Sequence, residues 1–149
     1  MKVEKDFVEF IELLNRNKAR YVIVGAYALA LYAPPRNTGD IDIFIENSQE
    51  NGLKILNVLD EFGFKGLGIT LQDLQSENTV IQLGVSPVRI DLITTISGLN
   101  FNEVYESRIV TQFADTSANF ISKQNLIVNK KASSRLIDKS DLELLGITP

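Results

Sequence analysis

The feature that most restricts the fold of this chain is the run 40–45, in which acidic and apolar residues alternate as Asp-Ile-Asp-Ile-Phe-Ile. Alternation predicts a β-strand, because successive side chains of a strand point to opposite faces of the sheet. Asp40 and Asp42 would therefore share one face, while Ile41 and Ile43 face the core. Two like charges on one face of a strand repel each other. The pair indicates either an exposed edge strand or a site in which a cation offsets the charge.

Composition limits the chemistry available to such a site. The sequence contains no cysteine and no histidine. Disulfides, thiolates and imidazole are thereby excluded, and acid–base or metal chemistry must use carboxylates, lysines, tyrosines or water. Metal sites built from oxygen ligands alone favour hard cations such as Mg²⁺ or Mn²⁺.

Length and hydropathy predict one ordinary globular domain spanning residues 1–149. Apolar residues make up 44% and charged residues 23% of the chain. No apolar run is long enough to span a membrane, and the amino-terminal residues lack the apolar core of a signal peptide. We therefore expect a cytoplasmic protein without membrane contact.

Periodicity predicts an α/β (α+β) fold, with a mixed β-sheet covered by helices. The predicted helices lie near 5–15, 26–33, 48–62, 102–107, 122–131 and 139–145. The predicted strands lie near 21–24, 40–45, 79–83, 88–93 and 108–113, and the third and fourth of these form a hairpin pattern.

A further acid, Asp91, lies inside the predicted strand 88–93. If this strand neighbours strand 40–45, three carboxylates converge, as in two-metal sites for phosphoryl or nucleotidyl transfer. The alternative is a solvent-facing Asp91 paired with Arg89, which lies two residues earlier on the same face.

Gly25 lies at the predicted turn between strand 21–24 and the following helix. A glycine there lets the backbone approach a phosphate close to a helix N-terminus. The simpler alternative is a tight turn that requires a positive φ.

Basic residues are concentrated in the stretch 123–139, which holds five lysines or arginines and one acid in a chain of net charge −4. Lys130 could bind a phosphate there. The alternative is a solvated helix end, where cations offset the helix dipole. Asp138 and Asp141 are interpreted as structural acids, either of which could pair with Arg135.

Taken together, the motif residues resemble the DNA polymerase β-like nucleotidyltransferase superfamily. The pattern is Val24-Gly25-Ala26, a spacer of thirteen residues, and Asp40-Ile41-Asp42. The run 36–42 (Arg-Asn-Thr-Gly-Asp-Ile-Asp) and the pattern 126–142 near the carboxyl end are similar to small bacterial and archaeal members, including toxin–antitoxin and abortive-infection proteins.

The resemblance implies a polymerase β-like fold and transfer of a nucleoside monophosphate from a nucleoside triphosphate to a hydroxyl of a protein, an RNA 3′ end or a small molecule. It also implies a possible cognate protein partner. The residues implied to be catalytic and to bind Mg²⁺ or Mn²⁺ are Asp40, Asp42 and Asp91. The residues implied to bind the triphosphate are Gly25, Ala26, Arg36, Thr38 and Lys130. For two of these the simpler alternatives are an ion pair, for Arg36, and an ordinary turn residue, for Thr38.

One position departs from that family pattern. Ala26 stands where serine or glycine is usual, and alanine has no hydroxyl to bind a phosphate. A second hypothesis is therefore a catalytically weak or inactive module that binds a nucleotide or a partner and acts as a regulator. A purely structural interaction domain is a third.

Overall fold

The computed structural model of the protein describes residues 4–35 and 39–148. In this part of the chain the helices are α1 (Lys5–Arg16), α2 (Gly25–Leu29), α3 (Gln49–Phe62), α4 (Leu71–Gln75), α5 (Phe101–Glu106), α6 (Lys123–Ala132) and α7 (Leu136–Leu144). The strands are β1 (Tyr21–Val24), β2 (Asp40–Ile45), β3 (Val80–Val85), β4 (Val88–Ile93), β5 (Ile109–Phe113) and β6 (Thr116–Phe120). Among the described residues, no helix is both long and apolar enough to cross a membrane.

The six strands form one mixed sheet in the order β3-β4-β2-β1-β6-β5, which confirms the predicted sheet. Strand β2 lies between an antiparallel neighbour, β1, and a parallel neighbour, β4. The run with alternating acids is therefore an interior strand, and the edge-strand alternative is wrong.

The core explains why β2 is held in this position. Ile41, Ile43 and Ile45 on one face are completely buried, and each such side chain contributes about 1.5–3 kcal/mol of burial free energy. Phe44 shares the other face with the two aspartates and packs edge-to-face on Phe101 of α5, at 5.1 Å between ring centroids. Helix α5 thus covers the apolar end of this face near Phe44.

Capping interactions set the limits of α3, which agree with the predicted range 48–62. The Ser48 side chain accepts a hydrogen bond from the amide of Asn51, and Gly63 ends the helix in the left-handed conformation, with φ 95°.

Helix α2 is shorter than the predicted 26–33. It ends at Leu29, and the amides of Leu31 and Tyr32 bond to carbonyls three residues back, so the chain continues as tight turns. The Tyr32 hydroxyl also donates to the carbonyl of Ile121.

Two further differences concern the carboxyl-terminal half of the chain. Strand β6 is not predicted, because the turn between β5 and β6 places Ala114 at φ 55°, a conformation usually signalled by glycine or asparagine. Helix α7 begins at Leu136 and not near 139. Helix α4 is also absent from the prediction, although Thr70 and Asp73 form a capping box at its start.

Candidate active site

The three predicted carboxylates lie on two neighbouring strands. In the parallel pairing of β2 with β4, Asp42 is the register partner of Asp91, and Asp40 is the partner of Arg89. Because side chains alternate across a strand, all four side chains share one face of the sheet. The predicted convergence of the two acidic strands is confirmed.

Gly25 brings the start of α2 against Asp42. Its φ is 68°, a conformation that favours glycine, and a Cβ atom at this position would lie 2.4 Å from Oδ2 of Asp42. Glycine is therefore required here both for the turn and for the close approach to the carboxylate.

Asp42 is a carboxylate whose charge is poorly offset. Burial, together with repulsion from Asp91 and Asp40, raises its pKa from 3.8 to about 6, although Arg135 and Arg89 act in the opposite direction. Between described residues, the Asp42 carboxylate has no hydrogen bond and no ion pair. An acid of this kind provides a free ligand for a cation.

Arg89 lies between the other two acids. Its Nε donates to Oδ1 of Asp91 at 2.8 Å, and its Nη2 donates to Oδ2 of Asp91 at 3.0 Å. Nη2 also lies 2.9 Å from Oδ2 of Asp40. The alternative that pairs Arg89 with Asp91 is confirmed for the ion pair, which includes Asp40 as well, but Asp91 is buried and does not face solvent.

The acids lie beside an open cleft of about 630 Å³. Asp42 and Asp91 lie at its base, next to Val24 and Gly25. One group of lining residues comes from α6, the segment leading to α7 and α7 itself: Asn129, Lys130, Ala132, Ser133, Ser134, Arg135 and Asp138. The other comes from β3, β4 and the residues beside them: Asn78, Val80, Ile93, Thr95, Ile96 and Ser97.

Lys130 is buried within that cleft wall, with 3% of its residue surface exposed. Its Nζ donates to Oδ1 of Asp138 at 3.0 Å and to Oδ2 of Asp141 at 2.8 Å. The alternative of a solvated helix end is wrong for this lysine. Its phosphate-binding role stays a prediction, since two carboxylates already bind its ammonium group.

Arg135 completes this cluster from the solvent side. Its Nε and Nη2 donate to Asp138 at 2.8 and 3.1 Å, while 72% of its side chain is exposed. The interpretation of Asp138 and Asp141 as structural acids agrees with these contacts.

The sequence matches a known protein family over nearly its whole length. Residues 4–148 match the model of a family described as nucleotidyltransferases of unknown function, DUF6036. The chain belongs to this nucleotidyltransferase family. No curated protein has a sequence that matches it significantly.

Solved structures of nucleotidyltransferases share the fold. The chain is similar to the candidate nucleotidyltransferase TM1012 of Thermotoga maritima, with a TM-score of 0.60 and 16% identity over 94% of this chain and 88% of that one. It is also similar to the lincosamide antibiotic adenylyltransferase LnuA in its lincomycin-bound form. There the TM-score is 0.56 and the identity 14%, over 97% of this chain and 96% of that one. The superfamily resemblance and the predicted fold are confirmed.

The remaining predicted site residues are placed as follows. Ala26 is buried in the first turn of α2, with 8% of its surface exposed. Arg36 and Thr38 lie outside the described residues. From the sequence, Arg89 is expected only as an ion-pair partner of Asp91, and Arg135 is expected at a solvated helix end or in an ion pair rather than on a phosphate. The signal for Arg135 was its position directly before the last helix, after two serines.

The described acids do not form a complete metal-ligand cluster by themselves. Among residues 4–35 and 39–148, no three acidic side chains are arranged as a metal-binding group. Arg89 holds Asp40 and both oxygens of Asp91. The donor chemistry nevertheless fits a hard cation, since Asp42 and Asp91 bring carboxylate oxygens to one place.

Proposed function

We propose that the protein transfers a nucleoside monophosphate from a nucleoside triphosphate to a hydroxyl group of a small molecule, with Mg²⁺ or Mn²⁺. The observation that carries this proposal is the position of Asp42. Its carboxylate, which pairs with no other residue in the described part of the chain, lies against Gly25 and opposite Asp91, at the base of the cleft. Nucleotidyl transfer requires such a carboxylate beside a turn that a phosphate can approach.

In this proposal, residues at the base of the cleft bind the metal, and Gly25 and the wall residue Arg135 accommodate the triphosphate. Asp42 and Asp91 are the proposed metal ligands, with Asp40 joining them as the third. When bound, the metal lowers the pKa of the attacking hydroxyl and offsets charge on the leaving pyrophosphate. Gly25 leaves room for the triphosphate beside Asp42, and the exposed guanidinium of Arg135 offers it a positive charge.

Three residues are proposed to bind the triphosphate because of the superfamily resemblance. Arg36 and Thr38 precede β2 and are proposed to bind the triphosphate, as is Lys130 in the cleft wall. Ala26 can contribute only its backbone amide.

A small acceptor is favoured over a macromolecule by size and charge. A cleft of about 630 Å³ is in the usual range for small-molecule sites. The net charge of −4 gives no general attraction to RNA. The similarity to LnuA, a lincosamide adenylyltransferase, agrees with this choice and suggests ATP as the first donor to test.

Thermal unfolding tests the donor half of the proposal. The four common nucleoside triphosphates are added with and without Mg²⁺ or Mn²⁺ to wild type, to Asp42→Asn and to a control, Asp115→Asn, whose side chain is exposed in the β5–β6 turn. Ligand at a hundred times its Kd adds roughly 2.7 kcal/mol, or several degrees. We expect a shift that requires metal, triphosphate and Asp42 together, and that survives in Asp115→Asn.

Transfer itself is measured with an α-³²P-labelled form of the triphosphate that gives the largest shift. Small hydroxyl compounds, total RNA and the protein itself are offered as acceptors, and release of pyrophosphate is followed. Label on small molecules supports the proposal, and label only on RNA or protein refutes the choice of acceptor. A triphosphate-dependent shift without any pyrophosphate release refutes the enzymatic proposal.

Two observations favour a second candidate, a weak or inactive regulator. Ala26 lacks a phosphate-binding hydroxyl, and Arg89 already pairs with Asp40 and Asp91. Such a protein would bind nucleotide or a cognate partner, as in a toxin–antitoxin pair, without turnover. Asp42→Asn separates the two, because it removes turnover from an enzyme and leaves partner binding by a regulator unchanged.

A further inference from the structure

Arg89 makes contacts that compete with metal binding. Its guanidinium uses Nε and Nη2 to bind both oxygens of Asp91, and Nη2 also reaches Asp40. Bidentate, charge-assisted contacts of this kind are among the strongest hydrogen bonds in proteins. Two of the three candidate metal ligands are therefore held by a cation that belongs to the chain.

Asp42 differs from these two acids in having no ion pair between described residues. It is the register partner of Asp91 and the acid closest to Gly25. A divalent cation can approach Asp42 directly. It can bind Asp91 and Asp40 as well only if the contacts between the Arg89 guanidinium and their carboxylate oxygens break.

We propose that Arg89 is an internal counterion that a divalent metal must displace from Asp91 and Asp40, so that it sets the metal affinity of the nucleotide-free protein. This inference rests on the proposed function, in which these acids are metal ligands. Arginine stays charged at all physiological pH values, so a change of pH does not release the acids. A triphosphate does offer the guanidinium another anionic partner. Metal and triphosphate therefore bind with positive coupling.

The test is a Mn²⁺ titration of the nucleotide-free protein, in which electron paramagnetic resonance measures the free Mn²⁺. Wild type is compared with Arg89→Gln and with a control, Arg20→Gln. Arg20 also forms an arginine–carboxylate pair, with Glu46 at 3.3 Å, but it lies outside the cleft.

We expect Arg89→Gln to tighten Mn²⁺ binding at least about tenfold, the fold-change that corresponds to one lost hydrogen bond to a charged group. Arg20→Gln should bind Mn²⁺ like wild type. Adding Asp42→Asn to Arg89→Gln should remove the tightened binding, which places the ion at this cluster.

A second variant is included because Arg89→Gln could fail to fold. Arg89→Lys keeps the positive charge but cannot bind a carboxylate through two nitrogens. It should give a Mn²⁺ affinity between those of wild type and Arg89→Gln, and thermal unfolding shows that each variant is folded.

The Mn²⁺ titration distinguishes a failure of the role inferred for Arg89 from a failure of the proposed metal site. Equal Mn²⁺ affinity in wild type and both Arg89 variants, or weaker binding in the variants, overturns the inference and leaves the metal site standing. No Mn²⁺ binding by wild type or by any variant overturns both.

Discussion

Gly25 and Asp42 are in such close contact that no side chain can stand between them: a Cβ atom on Gly25 would lie 2.4 Å from Oδ2 of Asp42. This contact joins the turn before α2 to the central strand β2. It ties the shape of the turn to the position of the carboxylate.

Gly25→Ala should therefore cost more stability than the backbone conformation alone explains. Gly68→Ala is the matched control, because its φ of 74° resembles the 68° of Gly25, while nothing lies within 4 Å of an added Cβ. We expect a loss of about 1–2 kcal/mol for the control. For Gly25→Ala we expect about 1–3 kcal/mol more, from the overlap with Asp42. Urea unfolding measures both, and equal losses would contradict the close contact.

Asp42→Asn should stabilise the fold at high pH while it removes nucleotide-dependent activity. Because the folded pKa of Asp42 is raised from 3.8 to about 6, the stability of wild type falls as pH rises through this range. The asparagine has no such loss. We expect a gain of up to about 3 kcal/mol at pH 8 and almost none at pH 3.5. Unfolding curves at the two pH values check this, and a gain that does not change with pH would rule out the raised pKa as its source.

Lys130→Met should be strongly destabilising. It leaves the buried carboxylates of Asp138 and Asp141 without the ammonium group that bonds to both. Breaking one partner of a buried ion pair costs about 3–5 kcal/mol. The control is Lys131→Met, whose side chain is exposed on the same helix. Similar stability of the two variants would show that the buried cluster contributes little.

Asp138 should make the fold sensitive to acid. Burial raises its pKa, but hydrogen bonds from Arg135, Ser133 and Lys130 outweigh this and lower the pKa from 3.8 to about 2. The stabilisation is complete above about pH 4 and is lost as pH falls towards 2. It amounts to about 2 kcal/mol. Unfolding measured at pH 5 and pH 2.5 should show this loss in wild type and a smaller one in Asp138→Asn.

Arg135→Gln should weaken triphosphate binding, and it should also lower stability at neutral pH, because the guanidinium donates to the buried Asp138 although most of the side chain is in solvent. We expect the Kd of the preferred triphosphate to rise roughly tenfold, as for one lost charged contact. Lys139→Gln, an exposed basic residue on α7 that does not line the cleft, is the control. Isothermal titration calorimetry measures both, and an equal change in the two variants would indicate only a general effect of charge.

The parts of the site that could be predicted depend on local patterns. Alternation in 40–45 is enough to place Asp40 and Asp42 on one face, because the rule acts between neighbouring residues. The contact of Arg89 with Asp40 depends on the register between β2 and β4, which lie more than forty residues apart in the chain. The residues of either strand alone do not determine the register between the two strands.

The burial of Lys130 was unpredictable for a similar reason. Its partners Asp138 and Asp141 belong to α7, whose packing against α6 is a tertiary contact. A lysine near the end of a polar helix more often faces solvent, and only the two carboxylates make its burial favourable here. The sequence does show that basic residues are concentrated in this region.

The base and the walls of the cleft come from different kinds of structure. Asp42 and Asp91 stand on two interior strands, whereas much of the wall comes from the end of α6, the segment before α7 and the residues after β4. Substitutions at Ser134 or Ser97 can therefore change which molecules enter without moving the acids. Under the proposed function, the choice of acceptor can thus be altered through the walls while the carboxylates at the base of the cleft keep their positions.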